Sequence, residues 1–67
     1  MNNLNDIKIG DVVERDMAGV IMKLKVSEVI GNYIHCGPWK FSMINGAEID
    51  EDLGWDEKMS GSFIKKL

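Results

Sequence analysis

A chain of 67 residues with a net charge of −3, one cysteine and one histidine has room for one small domain. A lone cysteine excludes an internal disulfide. One Cys and one His, adjacent at His35-Cys36, fall short of the four ligands of structural zinc. Packing, helped at most by a dimer, must therefore supply the ~3–5 kcal/mol typical of so small a core.

The first nine residues, MNNLNDIKI, carry no basic region followed by an apolar one, so they read as a polar lead-in and not a signal peptide. Nowhere does an apolar run approach the ~20 residues of a membrane span. A free thiol suits a reducing compartment, and the expected location is the cytoplasm.

Short β-rich runs follow, separated by glycines 10, 19, 31, 37, 46, 54 and 61. The first run is Asp11–Arg15, with a turn over Asp16–Gly19. The second is long, Val20–Ile30. In it Met22, Leu24 and Val26 alternate with Lys23, Lys25 and Ser27, the period-2 mark of a half-buried strand. Its phase fails at Glu28, which predicts a bulge or bend near Ser27–Glu28. Gly31-Asn32 reads as a two-residue hairpin turn before the third run, Tyr33–Cys36. Gly37-Pro38 marks a bulge or edge, because proline cannot donate to a ladder. Trp39, Phe41 and Met43 alternate with Lys40 and Ser42 in the fourth run, and Ser62–Leu67 is the last. Five short strands with no long helix predict a mainly β fold, a five-stranded SH3-like barrel.

The stretch from Gly46 to Trp55, GAEIDEDLGW, resists this pattern. Residues 48–57 hold six acids and no base, while the rest of the chain has a net charge of +3. Were Asn45-Gly46 a plain two-residue hairpin, Glu48 and Asp50 would face Met43 and Phe41, a poor cross-strand match on a buried face. A helical turn suits the residues better. Asn45 can cap it, Glu48 completes a capping box, and Ile49 and Leu53 share a side. The expectation is a short acidic helical or irregular excursion between the fourth and fifth strands, burying Ile49 and Leu53.

Several chemistries are disfavoured. A calcium loop needs glycine at its sixth position, and counting from Asp50 that residue is Trp55. Adjacent His35 and Cys36 point to opposite faces of a strand, so they cannot meet as base and nucleophile. Cys36 reads as a small core residue. Paired carboxylates need a cleft to separate their pKa values, and so small a barrel has little room for one. No metal, cofactor or catalytic residue is expected.

Two binding chemistries remain. Trp55 among carboxylates could anchor a protein partner with a basic surface, the acids steering it. The candidate residues are Glu48, Asp50, Glu51, Asp52, Trp55 and Asp56. Alternatively Trp55 folds back over an open end of the fold while the acids point outward. A nucleic-acid module is the second choice, with Lys23, Lys25, Lys40 and Tyr33 as a basic, aromatic surface. A purely structural subunit would form a stable oligomer.

The C-terminal half carries a longer pattern. Trp39-Lys40-Phe41, then Gly46 to Trp55, then Ser60-Gly61-Ser62-Phe63-Ile64 resembles small uncharacterised bacterial and phage proteins with W-x-F, TGAEIDE-x-LGW and TGSY. This chain has Asn45 and Ser60 where those have threonine, and Phe63 where they have tyrosine. The segment with Gly10-Asp11-Val12-Val13 looks more loosely like SH3-like or KOW-like barrels. The resemblance implies a bacterial or phage origin and a small barrel-like fold, and brings no activity with it. The reading is a non-catalytic binding or regulatory module, docking a protein partner through its acidic 48–57 surface.

Overall fold

The computed structural model describes residues 4, 6–56 and 61–66. Within them the chain forms strands β1 (Val12–Met17), β2 (Val20–Lys25), β3 (Glu28–Ile30), β4 (Tyr33–Cys36), β5 (Trp39–Ser42), β6 (Glu48–Ile49) and β7 (Phe63–Lys66). All pairings are antiparallel, in a three-stranded sheet β2-β1-β7 and a four-stranded sheet β3-β4-β5-β6. The mainly β expectation holds. The architecture differs from a closed five-stranded barrel: among the described residues there are seven strands in two sheets and no helix.

The extra strands come from breaks and turns that the glycine pattern marks. Ala18 and Gly19 take positive φ (53° and 90°) between Met17 and Val20, which pair. Two central residues with positive φ make a type I′ turn, whose twist matches that of the strands. The Asp16 carboxylate accepts from the Gly19 N–H at 3.0 Å. Gly31-Asn32 joins the paired residues Ile30 and Tyr33 as expected. Gly37-Pro38 likewise joins Cys36 to Trp39, so the proline sits at a hairpin tip, where no ladder donor is needed.

The long second run divides where its phase fails. Val26 N–H donates to the Asp11 carbonyl at 2.8 Å, still within the first sheet. One residue later, Ser27 N–H donates to the His35 carbonyl at 2.8 Å, in the second. The chain thus passes between sheets at Val26–Ser27, and Glu28 restarts the alternation on a new frame.

Across the molecule the sheets are also joined. Ile64 N–H donates to the Gly46 carbonyl at 2.8 Å, Glu48 N–H to the Ser62 carbonyl at 2.9 Å, and Ala47 bridges Phe63. Gly46 has φ of 81°, and a side chain there would strike the Ile64 carbonyl. Only glycine meets both conditions without strain. Between the sheets lie Val13, Val26, Ile34, Cys36, Phe41 and Ile64, with Leu4 and Ile7. Two residues of the presumed polar lead-in therefore belong to the core. Burying a leucine or isoleucine side chain stabilises by about 1.5–3 kcal/mol, which a domain of this size needs.

Candidate functional site

The acidic stretch opens as the short arm of a hairpin, Glu48–Ile49, and continues as an irregular turn. Phe41 pairs with Glu48 and Lys40 with Ile49, closed by a four-residue loop over 43–46 rather than a two-residue turn. The expected helical excursion is absent: Asn45 Oδ1 accepts from Ala47 N–H at 3.0 Å as a turn residue, not as a helix cap. Glu48 does face Phe41 across the inner surface, and it is 2 % exposed.

The apparent mismatch is resolved from the other sheet. Arg15, on β1, is itself buried and aims its guanidinium at Glu48. Its Nη2 donates to Glu48 Oε1 at 2.6 Å, and its Nε lies 3.2 Å from the same oxygen and 3.1 Å from Ser62 Oγ. The Ser62 hydroxyl donates to Glu48 Oε1 in turn. Beneath this triad the Trp39 ring takes the guanidinium on its face, 4.8 Å from Arg15 Cζ to the centroid, a cation–π contact. Two buried charges persist only when paired and hydrogen-bonded. Here each has its partner, and no buried side-chain polar atom of the described residues lacks one. Glu48 is therefore part of the joint between the sheets, at the floor of the cleft described below.

Sequence reasoning missed Arg15 and Ser62. One signal was available: Arg15 is the single arginine, and alternation in Val12–Met17 puts it on the same face as buried Val13. Its distance from Glu48, 33 residues along the chain, hid the pairing.

Beyond β6 the chain turns sharply. Asp50 and Trp55 exchange backbone hydrogen bonds, both 2.9 Å. Asp50 Oδ1 accepts from the N–H groups of Asp52 (3.0 Å) and Leu53 (3.3 Å), an Asx turn. Gly54 closes it with φ of 72°. Glu51, Asp52 and Asp56 are exposed and Asp50 is half-buried. Leu53, expected inside, is 58 % exposed; without a helix it has no reason to share a side with half-buried Ile49. Trp55 is half-buried, its ring so close over Gly61 that any side chain there would collide. The tryptophan folds back, and the carboxylates of Glu51 and Asp52 stay outside.

Between this turn and the β4–β5 hairpin lies an open cleft of about 520 Å³. The turn contributes Asp50, Glu51 and Asp52; the hairpin contributes His35, Trp39 and Lys40. Trp55 and Asp56 do not line it.

The basic set is divided between sheets. Lys23 and Lys25 lie on β2, and Lys23 stands opposite Glu14, which faces Lys65 on its other side. Tyr33 and Lys40 lie on β4 and β5, with Lys40 Nζ 5.0 Å from the Tyr33 ring centroid. Burial pushes the Cys36 thiol pKa up, the opposite of an activated nucleophile. Among the described residues no three of His, Cys, Asp and Glu gather as a metal site, and no helix is long and apolar enough to cross a membrane.

Many described residues of the C-terminal pattern hold structural positions. Gly46 admits the Ile64 carbonyl, Ala47 bridges Phe63, and Glu48 and Ser62 take Arg15. Asp50 and Gly54 form the turn, and Gly61 carries Trp55. Glu51 and Asp52 have no such duty. No protein-family model, curated protein or solved structure matches this chain.

Proposed function

We propose that this protein is a non-catalytic binding module that docks a basic segment of a protein partner at the cleft beside the acidic turn. One observation carries the reading: Glu51 and Asp52 are exposed at the edge of an open cleft that also holds Trp39, on a turn otherwise committed to structure. Carboxylates at such a rim favour a cationic partner and speed its encounter. An aromatic ring in the cleft offers apolar contact to the same side chains. Asp56 is exposed on the same acidic segment outside the cleft, and Trp55 holds the turn in place rather than meeting the partner.

The scaffold reads as an opened SH3-like barrel. The bent passage from β2 through Val26 and Ser27 into β3, with the 46–48 segment against β7, supports this. A buried reduced thiol suits the cytoplasm. The C-terminal pattern supports a bacterial or phage origin.

The test is affinity capture from bacterial lysate with three baits. The parent and a Lys23→Ala, Lys25→Ala bait should retain the same partner, and a Glu51→Gln, Asp52→Asn bait should lose it. Asp50 is left intact because its carboxylate holds the turn. Capture indifferent to Glu51 and Asp52 sinks the proposal. The nucleic-acid alternative keeps one supporting feature, the Lys40–Tyr33 stack. It predicts oligonucleotide affinity that falls steeply with salt and vanishes in Lys40→Ala.

A further inference from the structure

We propose that β2 is the seam of a symmetric homodimer, in which two copies pair antiparallel through residues 20–24. Strand β2 ends its sheet, and no described residue pairs with its outer edge. Hairpin geometry determines which backbone groups that edge offers. In a two-residue hairpin the residues flanking the turn exchange hydrogen bonds, and the pattern alternates from there. Val20, Met22 and Leu24 therefore bond to β1, a phase matched by Val26 N–H on the Asp11 carbonyl. Ile21, Lys23 and Lys25 point their N–H and C=O groups outward, an open template for another strand.

The side chains favour a copy of the same strand. Val20 (64 % exposed), Ile21 (48 %) and Met22 (45 %) lie open on it, beside Met17 (40 %). Monomers rarely leave so apolar an edge strand uncovered. Charge excludes one register and favours another. Pairing centred on Lys23 would set two lysines face to face. Centring the two-fold axis on Met22 sets Ile21 against Lys23, Val20 against Leu24, and Met22 against its own copy. On the outer face Asp16 neighbours Ile21, so Lys23 of one copy lies two strands, about 10 Å, from Asp16 of the other. An extended lysine spans that gap, and the contact occurs twice by symmetry. The carboxylate of Asp16 has a second oxygen free of the Gly19 bond for it. A five-residue seam is modest beside the ~800 Å² per partner of standard complexes, so a weak, concentration-dependent dimer is expected.

Sedimentation velocity across a micromolar to millimolar series tests the seam, with amide hydrogen exchange at both ends of the series. The expected result is a monomer–dimer equilibrium. The N–H groups of Ile21 and Lys23 gain protection as concentration rises, while those of Val20, Met22 and Leu24 are protected throughout. Met22→Lys, with folding checked by circular dichroism because Met22 stands opposite Arg15, should weaken the dimer by roughly a hundredfold or more; Ile44→Lys, equally apolar and elsewhere, should leave it unchanged. A parent that stays monomeric overturns the proposal. So does a dimer that survives Met22→Lys, or one whose formation leaves Ile21 and Lys23 exchange unaltered.

Discussion

Truncating Glu48 to alanine strands the Arg15 guanidinium between the two sheets. Arg15 is 8 % exposed and cannot turn out to water without opening the β1–β7 face. Breaking a buried pair from one side costs about 3–5 kcal/mol, because the remaining charge is uncompensated. A core of this size contributes only ~3–5 kcal/mol in total. Glu48→Ala should therefore leave half or more of the protein unfolded at 25 °C. Glu48→Gln keeps an oxygen for Arg15 and Ser62 and should lose less, about 1.5–3 kcal/mol. Replacing the triad together, as Arg15→Met, Glu48→Leu and Ser62→Ala, removes every charge and orphaned hydroxyl. It should recover to within about 2 kcal/mol of the parent. Urea unfolding followed by far-ultraviolet circular dichroism orders the four proteins. The reasoning is refuted if Glu48→Ala melts within about 1 kcal/mol of the parent, or if the triple variant is no more stable than Glu48→Ala.

Other outcomes follow from single contacts. Ala18 sits at φ of 53°, a left-handed position where asparagine is favoured in a type I′ turn; Ala18→Asn should raise stability by about 0.5–1 kcal/mol, read as a higher urea midpoint at unchanged slope. A methyl group on Gly61 collides with the Trp55 ring. Gly61→Ala should displace that ring, shift tryptophan emission to the red and cost about 1–3 kcal/mol, whereas emission identical to the parent would contradict the placement. The Lys66 ammonium bonds the Asp6 carboxylate at 2.8 Å and lowers its pKa. A lowered folded-state pKa stabilises above the unfolded value of about 3.9 and stops doing so as pH falls through the folded value. Asp6→Asn should thus narrow its stability gap to the parent below pH 4. The effect is small, since the pair is exposed, and parallel thermal-midpoint curves from pH 2 to 6 would count against it.

Much of the fold was legible before any coordinates. The turn at Gly31-Asn32 falls where its dipeptide puts it, because only two residues separate the strands it joins. The failed alternation at Glu28 marked the passage between sheets, because side-chain period is strict within a strand and resets when the chain changes sheet. Half-buried Trp39 followed from alternation along its strand, and buried Cys36 from the habit of a lone thiol as a small core residue. The acidic arm misled for one reason. Cross-strand reasoning weighs a residue against its hairpin neighbour, and Glu48 opposite Phe41 looks unfavourable on that test. Its true partners come from β1 and from Ser62 beside β7.

The sequence by itself determined the class of the molecule: a small, mainly β fold with a lone cysteine, punctuated by glycines and carrying six of its eleven acids in one segment. Those are local or compositional facts, settled by dihedral preference, by period and by counting. Tertiary structure alone decided what the acids do. Glu48 went inward because a guanidinium 33 residues away neutralises it. Asp50 was drawn into a turn by the bonds between Asp50 and Trp55, and among the described acids of this segment Glu51, Asp52 and Asp56 stayed exposed. A buried charge is tolerated only where a partner meets it, and that meeting depends on how sheets stack, which no window along the chain contains.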